Sequence, residues 1–69
     1  MQMLTIRDVA ERLNMSAQGA RNLCRSGELP CIEMGRVWRI EEAAFLAFLE
    51  RRRADAVARA EARRAEARR

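Results

Sequence analysis

Residues 16–40 read SAQGARNLCRSGELPCIEMGRVWRI, and this stretch decides the fold of the chain. It opens with a helix-forming segment that carries two arginines, breaks between Gly27 and Pro30, and ends in two short β-prone segments around Gly35. Glycine and proline end helices, and short apolar segments on either side of a glycine turn are typical of a hairpin. The order of parts predicts the second helix of a helix-turn-helix, followed by a β-hairpin wing.

A supporting helix is predicted immediately before this stretch. Thr5 can cap it, and Asp8, three residues on, can complete a capping box. Asn14 tolerates the left-handed conformation that ends a helix, and Ser16 is a good N-cap for the next one. So short a connection fixes two helices at a steep angle. The predicted buried stripe of this first helix comprises Ile6, Val9, Ala10 and Leu13.

The outward face of the second helix is small, amide-bearing and cationic. Gln18 and Asn22 can form bidentate hydrogen bonds with adenine, whereas Arg21 and Arg25 can bond guanine or hold a phosphate. Gly19 lowers helix propensity by ~1 kcal/mol relative to alanine. We interpret its missing side chain as leaving room for a DNA backbone. A merely solvated helix face has the same composition, so the helix alone leaves both interpretations open.

Two registers are open for the hairpin. A two-residue turn at Gly35 and Arg36 satisfies turn chemistry but places Glu33 on the same face as Trp38. A three-residue loop over residues 35–37 gives one apolar face and one cross-strand ion pair, so we predict this loop. Its cross-strand pairs are Met34 with Trp38, Glu33 with Arg39, and Ile32 with Ile40.

The hairpin carries two further candidates. Arg36 lies at the tip, where it can reach a phosphate or a narrow minor groove. Trp38 can pack in the core or stack on bases, and at this spacing we predict a core position.

The last segment divides in two. From about Glu42 an amphipathic helix is predicted, and beyond Arg51 its apolar stripe ends. AEARR occurs at 60–64 and again at 65–69, a period of five that spreads charges around the helix and makes no coiled-coil seam. We therefore predict a DNA-binding domain over 1–50 and a helical tail over 51–69, which is either a solvated helix or a contact for phosphate or a partner. Its predicted ion pairs are Asp55 with Arg59 and Glu61 with Arg64.

Charge is distributed unevenly along the 69 residues. All fourteen basic residues are arginine, and with ten acids they give a net charge of +4. Residues 1–50 hold six arginines and seven acids, whereas 51–69 hold eight arginines and three acids. The overall balance favours a polyanionic partner. A chain this short forms one small domain with a limited core and little room for a deep pocket.

Several classes of function are excluded by what the sequence lacks. Cys24 and Cys31 have no histidine or further cysteine beside them, so no metal site is expected, and we predict two reduced thiols in a cytoplasmic protein. No signal peptide or apolar span of ~18 residues is present, so no membrane association is expected. Without histidine, a carboxylate pair in a pocket or a phosphate loop, neither an enzyme nor a cofactor or small-molecule site is expected.

The ordered set of residues from 4 to 50 resembles the small excisionase and MerR-like winged-helix DNA-binding domains of phages and bacteria. Asn22 departs from that pattern, which usually has an aromatic residue there, and Glu33 stands where the hairpin often carries a base. The matching positions are Leu4, Thr5, Val9, Ala10, Leu13, Ser16, Gly27, Leu29, Pro30, Gly35, Trp38, Arg39, Ile40, Phe45, Phe48 and Leu49.

The resemblance implies a mainly α winged helix-turn-helix with an extended C-terminal helix, and double-stranded DNA as partner. It implies an excisionase, or recombination directionality factor, that bends attachment-site DNA and acts with a site-specific integrase in a bacterial cell. We expect a monomer in solution that assembles head-to-tail on DNA. The alternatives are a small AlpA-like transcription regulator and, in another class, an antirepressor acting through its C-terminal helix. The implied DNA contacts are Ser16, Gln18, Arg21, Asn22, Arg25, Arg36 and Arg39.

Overall fold

A computed structural model describes residues 2–68 of the chain. Three helices and a small antiparallel sheet form around one core, and the last helix continues far beyond it, as the sequence predicts. The elements in chain order are β1 (Met3–Leu4), α1 (Ile6–Leu13), α2 (Ala17–Ser26), β2 (Ile32–Met34), β3 (Val37–Glu41) and α3 (Glu42–Ala67).

Side chains at the helix ends set the bounds of α1 and α2. Asp8 N–H donates to Thr5 Oγ1 and Thr5 N–H donates to Asp8 Oδ2, both at 3.0 Å, which is the predicted capping box. Asn14 ends α1 with φ of 52°, and Ser16 Oγ accepts from Gly19 N–H to begin α2. Gly27 ends α2 with φ of 84°. The predicted boundaries of both helices are confirmed.

The sheet has three strands in the order β1-β3-β2, all antiparallel. Strand β1, which the sequence analysis did not predict, places Leu4 opposite Ile40, and both side chains are buried. Helix α3 follows β3 without a loop and packs Phe45 and Phe48 into the same core. The core is therefore shared by all three helices and the inner face of the sheet.

The predicted three-residue loop of the hairpin is wrong. The turn consists of Gly35 and Arg36 alone, and Gly35 has φ of 65° while Arg36 does not have a positive φ, the pattern of a type II′ turn. The prediction required one face of the hairpin to be apolar and packed, but β2 is an exposed edge strand, so burial does not fix its register. The observed pairs are Ile32 with Arg39, Glu33 with Trp38, and Met34 with Val37.

This register removes the predicted ion pair between Glu33 and Arg39, which are no longer opposite each other. Trp38 is half-buried and packs against the core, as predicted, but it also reaches the surface beside α1. Ile40 is the fully buried side chain of β3.

The two cysteines are joined in a disulfide, so the prediction of two free thiols is wrong. The turn after α2 reverses the chain and brings the Cα atoms of Cys24 and Cys31 to 5.6 Å, within the span that a disulfide bridges. Sequence separation alone gave no sign of this proximity.

The distal part of α3 is exposed at every residue from 50 to 68. Within that described part of the tail, the expected pairs of Asp55 with Arg59 and of Glu61 with Arg64 do not form, and Arg53 bonds Glu50 at 2.6 Å instead. Across residues 2–68, no helix has an apolar stretch of the length that crossing a bilayer requires.

Candidate nucleic-acid interface

Helix α2 presents a polar face to solvent and an apolar face to the core. Ala20 and Cys24 are buried and Leu23 is half-buried, which fixes the rotation of the helix on α1. The remaining positions of the predicted recognition face are exposed. They are Ala17, Gln18, Arg21, Asn22 and Arg25.

Three of these exposed side chains are linked to one another. Gln18 Nε2 donates to Asn22 Oδ1 at 3.1 Å, and Arg21 Nη1 donates to Gln18 Oε1 at 3.4 Å. The bonds run along one turn of the helix and hold the amides and the guanidinium on a single face. Each partner is solvent-exposed, so it can exchange these bonds for bonds to a base edge with little desolvation penalty.

Ser16 has a structural role in addition to any contact with DNA. Its Oγ accepts from Gly19 N–H at 3.1 Å and so satisfies one of the free donors at the start of α2. The Met15 side chain packs over the same turn, because a Cβ on Gly19 would lie 2.7 Å from Met15 Cε. A side chain at Gly19 would therefore displace the flexible end of Met15.

The wing carries the other predicted arginines. Arg36 is exposed in the turn, whereas Arg39 is half-buried and donates from Nη1 to the Trp38 carbonyl at 3.1 Å. That bond lays the guanidinium of Arg39 along the backbone of β3. The wing thus presents one free and one tethered cation.

An open concave site of about 230 Å³ lies between α2, the wing and the start of α1. Its cations are Arg7, Arg21, Arg36 and Arg39, and no acid is among its lining residues. The site therefore concentrates positive charge although residues 1–50 carry one more acid than base. A cationic concavity beside a recognition helix suits the phosphate backbone of DNA. Thr5, Ile6, Val37 and Trp38 complete its lining.

Arg7 is a site residue that sequence reasoning missed. On α1 it falls on the polar side of the helix, where it pairs with Glu11 at 3.4 Å. Its position beside Arg21 and Arg36 depends on how the wing folds back along α1. Arg7 lies in the first turn of α1, two residues after the cap residue Thr5, and that position alone does not indicate a contact with DNA.

The structure brings together only part of the predicted set. Arg21, Arg36 and Arg39 line the concave site, and Gln18 and Asn22 are hydrogen-bonded neighbours of Arg21. Ser16 lies at the start of α2, and Arg25 is exposed in its last turn, outside the lining of the concave site.

Ion pairs elsewhere neutralise several of the acids and arginines that do not line the site. Arg12 lies 3.5 Å from Glu42, and Arg52 lies 2.7 Å from Glu28. These contacts join α1 and the turn after α2 to helix α3.

A second depression, of about 340 Å³, lies along α3 near the end of α2. It is larger than the concave site, but Glu28 and Asp55 line it together with three arginines, so its charge is mixed. A polyanion is therefore better accommodated by the first site. Within residues 2–68, the cysteine and acidic side chains form no group of three that could hold a metal ion.

Comparison with known families gives one match. The family model described as a helix-turn-helix domain matches residues 3–53, which include β1, α1, α2, the wing and the first part of α3. Comparison with curated proteins and with solved structures gave no match. The matched residues are most of the chain and contain all four arginines of the concave site. The chain belongs to the helix-turn-helix domain family, and DNA binding follows from that membership.

Proposed function

We propose that this chain is an excisionase, a recombination directionality factor that binds attachment-site DNA in several copies, bends it, and directs a site-specific integrase toward excision. We further propose that residues 1–50 are the DNA-binding domain and that 51–69 are a tail for DNA or the integrase. DNA binding itself follows from the family, and the recombination role is what we propose beyond it.

The proposed contacts divide by chemistry. Arg7, Arg21 and Arg36 face one concave site and suit a phosphate strand, because guanidinium groups form bidentate bonds with phosphate. Gln18 and Asn22, on the exposed face of α2, suit base edges in the major groove.

The observation that carries the proposal is the full exposure of α3 from residue 50 to residue 68. A transcription regulator that dimerises through its last helix needs a continuous apolar seam, and Val57 is the single large apolar side chain in this segment. One short recognition helix and a wing can contact only a few base pairs. Specificity then requires several copies on repeated sites, and small bends at successive sites add to a large one.

Head-to-tail contacts between neighbouring copies would be heterologous, so the assembly would extend along the DNA. We therefore propose a monomer in solution and an array on direct repeats. The arginine-rich helix of each copy would then lie exposed for an integrase.

The test combines footprinting, a bend assay and sedimentation. Direct repeats protected by a protein that sediments as a monomer, with bending that increases with each bound copy, would support the excisionase. A preformed dimer that protects a palindrome without bending it would favour the small transcription regulator. Binding to a protein partner together with no affinity for DNA would favour the antirepressor and contradict the DNA-binding role.

A further inference from the structure

A covalent bond joins the recognition helix to the wing. Cys24 lies on the buried face of α2, and Cys31 directly precedes β2, so their disulfide spans the turn that separates the two elements. These are the only cysteines of the chain. The bond therefore connects the two elements that carry Arg21 and Arg36.

Few direct contacts join α2 to the wing. Helix α2 packs mainly on α1, whereas the hairpin packs on α1, β1 and α3. The turn between them is anchored by Leu29, which is fully buried and whose N–H donates to the Leu23 carbonyl at 3.2 Å. Without the disulfide, the turn keeps the buried Leu29 and the hydrogen bonds of Glu28 to Arg51 and Arg52 of α3.

We propose that thiol–disulfide exchange at Cys24 and Cys31 controls DNA affinity, and that the oxidised form binds DNA more tightly. The proposal rests on the proposed role of the concave site in binding phosphate. In the oxidised form the spacing of Arg21 from Arg36 is fixed before DNA arrives. In the reduced form the turn between α2 and β2 is less constrained, so part of its ordering occurs on binding and lowers affinity.

A reducing compartment would let the pair of Cys24 and Cys31 act as a redox sensor. In the cytoplasm that the sequence predicts, thiol reductants oppose the disulfide of the structure, and cytosolic disulfides of this kind form transiently under oxidation. The same residues would then report the thiol–disulfide balance of the cell as a change in DNA occupancy.

The exposure of the two sulfurs sets the order of the exchange. Cys24 is 7% exposed, whereas Cys31 is half-buried, so Cys31 is the more accessible of the two residues. The Sγ of Cys31 lies 3.1 Å from the Leu29 carbonyl oxygen, which can accept a hydrogen bond from the thiol once the disulfide is reduced.

The oxidant is a low-molecular-weight disulfide such as oxidised glutathione. The Cys31 thiolate attacks one of its sulfurs, forming a mixed disulfide and releasing one glutathione thiolate. The Cys24 thiolate then attacks the Cys31 sulfur and releases the second. Two protein thiols are oxidised to one disulfide, one glutathione disulfide is reduced to two thiols, and the two protons pass to the released thiolates.

The experiment titrates one short mixed-sequence DNA duplex with the oxidised and the reduced full chain, after circular dichroism has shown that both are folded. We expect about tenfold tighter binding by the oxidised form, within the usual range of coupling between two sites. Coupling is reciprocal, so saturating DNA should lower the reduction potential of the cysteine pair by about 30 mV, which is the same tenfold factor.

Two variants serve as controls. Cys24→Ala/Cys31→Ala should bind as the reduced chain does under both redox conditions. Cys31→Ser keeps the buried Cys24 in place and should behave in the same way, which separates the lost bond from a packing defect at Cys24.

Equal affinity of the two redox forms, or tighter binding by the reduced one, overturns the inference and leaves the proposed DNA contacts standing. Absence of binding by both forms overturns the inference together with the proposed site. Because the comparison of oxidised and reduced wild-type protein decides the matter, it does not depend on the variants folding.

Discussion

Arg52 on α3 donates from Nη2 to Glu28 Oε2 at 2.7 Å, and its guanidinium carbon lies 5.3 Å from the ring centre of Phe48. The neighbouring Arg51 reaches the Glu28 carbonyl at 3.4 Å. The first two arginines of the predicted tail therefore fasten α3 to the turn that follows the recognition helix. The later arginines of α3 have no such contact with the core elements.

We expect a chain ending at Arg53 to keep the fold, because residues 54–68 are exposed and bury no apolar face. A thermal melt by circular dichroism should give an unchanged midpoint. Ending the chain at Glu50 is the matched control, since it also removes the Arg52 contacts and should lower stability by about 0.5–1 kcal/mol. A large drop in melting temperature for the chain that ends at Arg53 would show that the distal helix stabilises the core.

Loss of a phosphate contact should appear in the salt dependence of binding. Replacing Arg7, Arg21 or Arg36 by alanine should weaken binding to all sequences and reduce the magnitude of the salt slope by about 1 each. Arg12→Ala is the matched control, because Arg12 pairs with Glu42 and does not line the concave site. If all four variants titrate alike over a range of salt concentrations, the concave site is not where phosphate binds.

Base-edge contacts should behave differently. Gln18→Ala and Asn22→Ala should leave the salt slope unchanged and relax the preference for one base, at about 1–3 kcal/mol of discrimination for each good bidentate contact. Selection of bound duplexes from a randomised pool measures that preference. A sequence preference identical to that of the wild type would place the readout elsewhere.

Gly19→Ala separates two explanations of a glycine inside α2. The structure places the new Cβ against Met15 Cε, a flexible side-chain end that can move, so DNA affinity should change little. Alanine also gains ~1 kcal/mol of helix propensity, which offsets the shift of Met15. A thermal melt and a DNA titration on the same variant distinguish the two explanations. A stable variant with markedly weaker binding would show that the glycine leaves room for the DNA backbone.

The capping box gives α1 a defined acid sensitivity. The Thr5 N–H bond to the carboxylate, followed by the Thr5 hydroxyl and the nearby Arg12 and Arg7, lowers the pKa of Asp8 below its ordinary value of 3.8. A lowered pKa in the folded state means that the stabilisation is present above about pH 4 and is lost as the pH falls through the folded-state pKa.

Asp8→Asn should remove that part of the pH dependence and lower stability at neutral pH. Melts from pH 2 to pH 7 compare the two proteins, and their curves should converge at the acid end. Parallel curves across the whole range would show that the Asp8 carboxylate contributes nothing through its charge.

Local signals were predictable from the sequence, and contacts between distant elements were not. Thr5, Asn14, Ser16 and Gly27 act on backbone groups within a few residues, so the sequence pattern determines both helices. The register of the hairpin depends on which strand face is buried, and β2 has none.

The residues of the candidate site also differ in whether local sequence or distant packing determines their position. Exposure of Gln18 and Arg21 follows from helix periodicity, whereas the position of Arg7 near Arg36 depends on how the wing packs on α1. The disulfide likewise needs a turn whose path no spacing rule describes. The position of Arg7 and the disulfide both depend on tertiary structure.

The length of α3 has a consequence for how the protein behaves in a column. The radius of gyration of the protein is 14.9 Å and its long axis is 53 Å. A compact domain of 69 residues has a radius of gyration of about 11 Å. A compact chain with the observed radius would have about 150 residues. On gel filtration a single copy should therefore elute close to where a globular dimer would, and only a method that measures mass directly, such as light scattering, will count the copies correctly.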